Sequence, residues 1–249
     1  MPRDADENLD VVRTSRDQEN PQAKGSAGES TPDPHLSVVC PFPAQPPRQR
    51  RHRGRYRTRG SKYISVSQAT NIVEAVKFAK SIGLPLVAHL TIHWSGTLAF
   101  DDHDGARFAK VREGLAKVLL RRGIPTGWVW CRECKAHTDI VHCHLLFHLP
   151  TEYRVGQKLD EVRATLERLV ARHGDGIWSE YAVELKTWCD PDGLYLLKGG
   201  GPEVWKLFRI KKKFRESQGI IHGKRCGTTE NLGKAARNLA ATKSYQSAG

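Results

Sequence analysis

Two short stretches of this chain carry residues able to do chemistry. The first is VHCHLLFHLP, residues 141–150. Side chains alternate faces along a β-strand, so His142, His144, Leu146 and His148 share one face. Val141, Cys143, Leu145, Phe147 and Leu149 share the other, which is apolar and suits a core. Two histidines two residues apart on one pleat face can bind a single metal ion, neutral imidazole being the commonest protein metal ligand. The same spacing also describes two ordinary half-exposed strand histidines. The second stretch is LYLLKGG, residues 194–200. Tyr195 and Lys198 are three apart and lie on one face of a helix. A tyrosine hydroxyl can act as a covalent nucleophile on phosphorus. A neighbouring ammonium can stabilise the phenolate or the phosphate charge.

A third signal competes for the metal. Cys131-x-x-Cys134, with His137, His142 or His144, has zinc chemistry, because thiolates prefer zinc. Only one such C-x-x-C is present, and no second half at zinc-finger spacing follows it. A strand through Cys131 and Glu133 puts those two on one face and turns Cys134 away. Under this reading the chain is a basic nucleic-acid-binding module, with a sheet able to stack RNA bases, and Tyr195 has no role.

The elements that must position these residues can be read from periodicity. Ser67 is in place to cap a helix carrying Ile72, Val73, Val76 and Ala79, ended by Gly83 and Pro85. Residues 86–94 read as a buried strand. Residues 101–123 carry Phe108, Val111, Leu115, Val118 and Leu119 on one helical stripe. Strand-like runs at 126–133 and 140–149 are joined by a short polar link, as in a hairpin. Residues 156–173 read as a helix and 181–187 as a strand. A short helix then carries Tyr195 and stops at Gly199-Gly200-Gly201-Pro202, which cannot sustain it.

Composition sets the frame. Of 249 residues, 39% are apolar, and the net charge is +13. So basic a balance favours an anionic partner, nucleic acid above all. No apolar run reaches the ~18–20 residues of a membrane span, and the first ten residues do not read as a secretory signal. The expectation is a cytoplasmic protein whose six cysteines (Cys40, Cys131, Cys134, Cys143, Cys189, Cys226) are thiols or metal ligands. Residues 1–60 have the composition of a disordered tail. Residues 48–62 hold eight Lys or Arg and no acid. Arg51, Arg53, Arg55, Arg57 and Arg59 can lie along a phosphate backbone. Residues 202–249 form a second basic segment, in which Lys211, Lys212 and Lys213 lie among Trp205, Phe208 and Phe214. Aromatics that stack on bases beside cations that track phosphates suit a nucleic-acid surface.

Taken in order, the strand LTIHW at 90–94, the H-x-H strand and Y-x-x-K resemble the three motifs of HUH replication initiators. Cys143 stands where that family has a hydrophobic residue, and a buried thiol behaves as one. The run WCRECKAHTDIVHCHLLFHLP is similar to the bacterial plasmid and phage branch, and the resemblance covers about residues 86–200. It implies an α+β fold, a small antiparallel sheet with helices packed on one face. It makes 61–201 the endonuclease domain, between the tail 1–60 and the extension 202–249. It implies Glu133 as third metal ligand beside His142 and His144, and Mg²⁺ or Mn²⁺ as the ion. Tyr195 would attack a single-stranded or hairpin origin, stay bound to the 5′ phosphate and leave a 3′ hydroxyl to prime synthesis. That is the reaction of a rolling-circle replication initiator. The chain has one plausible nucleophilic tyrosine rather than a pair, and no phosphate-binding G-x-x-x-x-G-K-[ST]. A host helicase and polymerase are therefore expected partners. A single-strand transposase would use the same chemistry. Conjugative relaxases often place the tyrosine near the N-terminus, which argues against them. His93, in the first motif, reads as an ordinary strand histidine or a residue reaching the site.

Overall fold

The computed structural model describes residues 60–137, 140–187 and 192–246, with side chains described as far as residue 243. The chain runs through α1 (Val66–Ser81), β1 (Leu86–His93), α2 (Ala106–Arg121), β2 (Trp128–Cys134) and β3 (Val141–His148). It continues through α3 (Gly156–His173), β4 (Val183–Lys186), α4 (Pro202–Leu207), β5 (Cys226–Thr228) and α5 (Lys234–Gln246). The architecture is α+β, with the five strands in one antiparallel sheet of order β4-β1-β3-β2-β5.

The alternation in β3 decides the layering. Cys143, Leu145 and Phe147 join Ala88, Leu90 and Ile92 of β1 in a core closed by the apolar stripes of α2 and α3. The stripe of α2 is Phe108, Val111, Leu115 and Leu119, and that of α3 is Val162, Leu166, Leu169 and Val170. This is the helix layer expected from the sequence. The other face has a partial cover of its own. Ile72, Val76 and Ala79 of α1 pack over Val129, Cys131 and Leu146, with Leu196, Leu197 and Val204 beside them. The second helical contact leaves one end of that face open, and the chemistry-bearing residues lie there.

Several boundaries differ from the sequence reading. The cap of α1 is Ser65, not Ser67. Its hydroxyl accepts from Gln68 N–H while the Gln68 side chain accepts from Ser65 N–H. This reciprocal arrangement satisfies two donors at once, which a start at Ser67 would not. Helix α2 begins at Ala106 rather than 101, because Asp102 folds back to accept from Arg107 and Phe108 N–H. The strand read at 181–187 shortens to the four residues of β4 behind a 3-10 turn at Glu180–Ala182.

Within residues 202–246, Cys226–Thr228 extend the same sheet. β5 pairs with β2, and Ile210, Ile221, Cys226 and Leu232 are buried. Two buried arginines fasten this segment. Arg132 donates to the carbonyls of Asp102, His103, His222 and Lys224. Arg225 donates to Ser61 and Gly219. No helix among the described residues is long and apolar enough to cross a membrane.

Candidate metal centre and tyrosine

Strand register builds the centre. On the open face, His142 of β3 is flanked across the sheet by Glu133 of β2 and His93 of β1. One pleat further along, His144 is flanked by Cys131 and Thr91, and Glu184 of β4 lies beyond Thr91. Residues directly opposite in an antiparallel pair project from the same face, so these two rows bring a carboxylate and two imidazoles together. The Nε2 atoms of His142 and His144 stand 3.2 and 3.3 Å from Glu133 Oε2. Glu133, His142 and His144 each offer a ligand atom within 4.8 Å of the others, and all three are buried.

The tyrosine arrives on a 3-10 turn, Leu194–Leu197, that follows Gly193. Gly193 has φ +67°, and a Cβ there would lie 2.8 Å from Val76 Cγ2. Only glycine lets the chain turn so close to α1. Residues i and i+3 eclipse in a 3-10 helix, which sets Lys198, just after the turn, against Tyr195. Lys198 Nζ is 3.1 Å from Tyr195 Oη and 3.0 Å from Glu133 Oε2. The Tyr195 ring meets His144 and His89 edge-on, at centroid distances of 5.4 and 5.2 Å. A cleft of about 440 Å³ opens over this group, walled by His93, Lys135, Glu184, Tyr195, Lys198 and Glu216. Tyr195 is 39% exposed, whereas Lys198 is 7% exposed.

Electrostatics agree with the geometry. Burial alone would raise the Glu133 carboxyl, but the imidazoles of His142 and His144 beside it and the charge of Lys198 outweigh it. The carboxyl is held well below its usual range. Burial lowers Lys198, but Glu133 and Tyr195 overcome this and push the ammonium above its ordinary value. Burial, with His144 next, lowers His89 to about 3. His144 is also lowered, chiefly by burial.

The donor set fits a divalent ion. His144 Nδ1 lies 3.1 Å from His89 Nε2 and 3.2 Å from Thr91 Oγ1. The tautomer with its proton on Nδ1 satisfies these contacts and leaves the Nε2 lone pair free. That Nε2 is buried and, despite its distance from Glu133, makes no hydrogen bond among the described residues. An orphaned buried imidazole nitrogen beside an ionised carboxylate and a second imidazole is the arrangement that a metal ion satisfies.

The structure thus brings Glu133, His142, His144, Tyr195 and Lys198 together. His93 is among them too, its ring stacked on His142 at 5.7 Å. His148 shares the strand face, but its Nδ1 contacts Pro85 O at the far end of the strand. Lys211, Lys212 and Lys213 are exposed on the surface around a 3-10 turn. Arg51, Arg53, Arg55, Arg57 and Arg59 lie outside the described residues, as do Cys40 and Cys189. The shared Cys131–Cys134 zinc site does not form. Cys131 packs on the α1 side with its Sγ 3.8 Å from Glu133 Oε1, and Cys134 packs into the α2–α3 core. A two-residue offset plus one reverses the face, so the two thiols cannot hold one ion.

Two neighbours were not legible beforehand. His89 reaches His144 because β1 pairs with β3, a register that the sequence does not display. Gln218 is 1% exposed, with no hydrogen bond to either amide atom among the described residues. It sits against Gly199, where a Cβ would come 3.4 Å from Gln218 Oε1 and 3.5 Å from Glu133 Oε1.

Comparison with known protein families finds none that matches, and no curated protein matches the sequence. Among solved structures, the chain is similar to the N-terminal nuclease domain of minute virus of mice non-structural protein 1. The likeness covers 65% of this chain and 80% of that one, at 11% identity and a TM-score of 0.27. That domain is described with Zn²⁺ coordination in its active-site pocket and DNA recognition at the origin of replication. So distant a likeness carries no argument about this chain, whose reading rests on the geometry above.

Proposed function

We propose that the chain is a metal-dependent single-strand DNA nickase and strand transferase of the HUH type, acting as a rolling-circle replication initiator. One observation carries the reading: Lys198 joins the tyrosine hydroxyl to the carboxylate of a two-histidine, one-carboxylate cluster. Glu133, His142 and His144 would hold the ion, with Mg²⁺ or Mn²⁺ as the working assignment. When bound, a divalent ion supplies Lewis-acid polarisation of the scissile phosphate.

The remaining steps belong to the chain. Tyr195 stands at the cleft wall with its hydroxyl already bonded to an ammonium. Lys198 stabilises the phenolate as it forms, and Glu133 keeps Lys198 charged and fixed. Attack forms a bond from Tyr195 Oη to phosphorus and breaks the bond from phosphorus to the 3′ oxygen, which leaves as a hydroxyl. The 5′ end remains on the tyrosine. Phosphotyrosine conserves the energy of the broken bond, so the same group can rejoin a strand. Lys211, Lys212 and Lys213, with the arginines of residues 51–59, supply cations for the phosphate backbone. A host helicase and polymerase would complete the replication cycle.

The experiment is cleavage of a labelled single-stranded or hairpin origin oligonucleotide by the full chain, with Mg²⁺, Mn²⁺ or Zn²⁺ added singly. Cleavage in Mg²⁺ or Mn²⁺ that EDTA stops is the expected result. Tight retention of one Zn²⁺ with no cleavage in any ion would favour a non-catalytic binding module.

A further inference from the structure

A second charged feature lies on the opposite side of the sheet from the tyrosine. The last turn of α2 and the second half of α3 enclose a groove of about 370 Å³. Its floor is Val118 and Leu169, and its walls carry Arg121, Arg122, Arg168 and Arg172. Among the described residues, no acidic one lines it. Four guanidiniums in one groove repel one another. None of the four forms an ion pair with a carboxylate among the described residues. Arg168 donates to Thr165 Oγ1 at 3.0 Å. Arg122 Nη1 is buried and has no hydrogen-bond partner among the described residues.

Basic residues in the last turn of a helix favour its C-terminal dipole. That accounts for Arg121 and Arg172, which close α2 and α3. It does not account for Arg168, a turn earlier, nor for a guanidinium nitrogen held out of water with nothing to bond. Arginine presents a planar fork of donors matched to phosphate oxygens. Four such forks on two helices exceed what one phosphate needs and suit successive phosphates of a chain.

We infer that the groove between α2 and α3 is a second DNA-binding site, taking the phosphate backbone of duplex DNA through Arg121, Arg122, Arg168 and Arg172. The sheet separates it from the Tyr195 cleft, so the duplex held here is a different stretch from the strand being cut. The inference shares DNA as partner with the proposed nickase activity and requires no cleavage.

The test is fluorescence anisotropy of a labelled 20-base-pair duplex with the full chain, titrated across salt concentrations. Arg168→Gln/Arg172→Gln changes two exposed side chains, and the fourfold Arg→Gln variant removes the whole set. Thermal melting checks that each variant folds. Each lost phosphate contact lowers the log–log salt slope by about 0.9. The double variant should lose about 1.8 from the slope and the fourfold variant about 3.6. Affinity near 0.1 M salt should fall at least about tenfold. Adduct formation on a short single strand should be unchanged in the double variant. A folded double variant with the wild-type slope and affinity would overturn the inference. Because anisotropy reads binding alone, a chain that never nicks DNA would refute the nickase reading and leave this test intact.

Discussion

Lys198 Nζ lies 3.1 Å from Tyr195 Oη while holding Glu133 at 3.0 Å. One buried ammonium therefore touches both the group that would attack and a group that would bind the ion. Lys198→Ala should slow cleavage by about 10²–10³-fold, the scale of losing one preorganised donor, and leave some covalent adduct. It should also destabilise the fold by about 3–5 kcal/mol, since it leaves a buried carboxylate without its cationic partner. Single-turnover cleavage and urea melts measure the two effects separately.

Glu133→Gln preserves the shape of the side chain and removes its charge. Metal affinity measured by calorimetry on the variant should fall by more than about 100-fold, beyond the 10–100-fold typical of outer-shell changes. His142→Ala should abolish cleavage with the fold retained, because the His142 side chain lines the cleft rather than the α2–α3 core. An unchanged metal titration in Glu133→Gln would move the third ligand elsewhere, with Glu184 the next carboxylate on that face.

His89 is predicted to position rather than react. Its Nε2 orients His144 through Nδ1 at 3.1 Å. His89→Ala should raise the metal concentration needed for half-maximal cleavage by about 10–100-fold, with the rate recovering at saturating metal. His89→Gln, which keeps a polar group toward Nδ1, should recover part of the affinity. A loss of rate that no metal concentration restores would give His89 a direct part in the chemistry.

Ser65→Ala should cost about 1 kcal/mol by removing the cap of α1, while Ser67→Ala should change stability by a few tenths at most. Chemical denaturation of the two variants distinguishes the observed cap from the one the sequence suggested.

The strand carrying the histidines was the most legible part of the chain. Alternation alone separates His142 and His144 from Cys143, Leu145 and Phe147, and the structure keeps that division. The pairing of Tyr195 with Lys198 was legible as well, because three-residue spacing brings side chains together in an α-helix or a 3-10 turn. Contacts that depend on which strands are neighbours were not. His89 meets His144 through the β1–β3 register, and Gln218 reaches Gly199 from nineteen positions further along the chain. The same holds in the basic extension 202–249, where three residues, Cys226–Thr228, lie in the sheet beside β2. A three-residue strand is too short to display alternation, so its place is set by tertiary pairing.

The most direct test of the central claim is a denaturing gel of the full chain incubated with metal and a labelled origin oligonucleotide, with mass spectrometry of the adduct peptide. Tyr195→Phe removes only the hydroxyl and should leave folding and DNA binding nearly unchanged. The wild-type chain should carry labelled DNA covalently on Tyr195, and Tyr195→Phe should carry none. An adduct mapped to Tyr153, Tyr181 or Tyr245, or one that persists in Tyr195→Phe, would contradict the account.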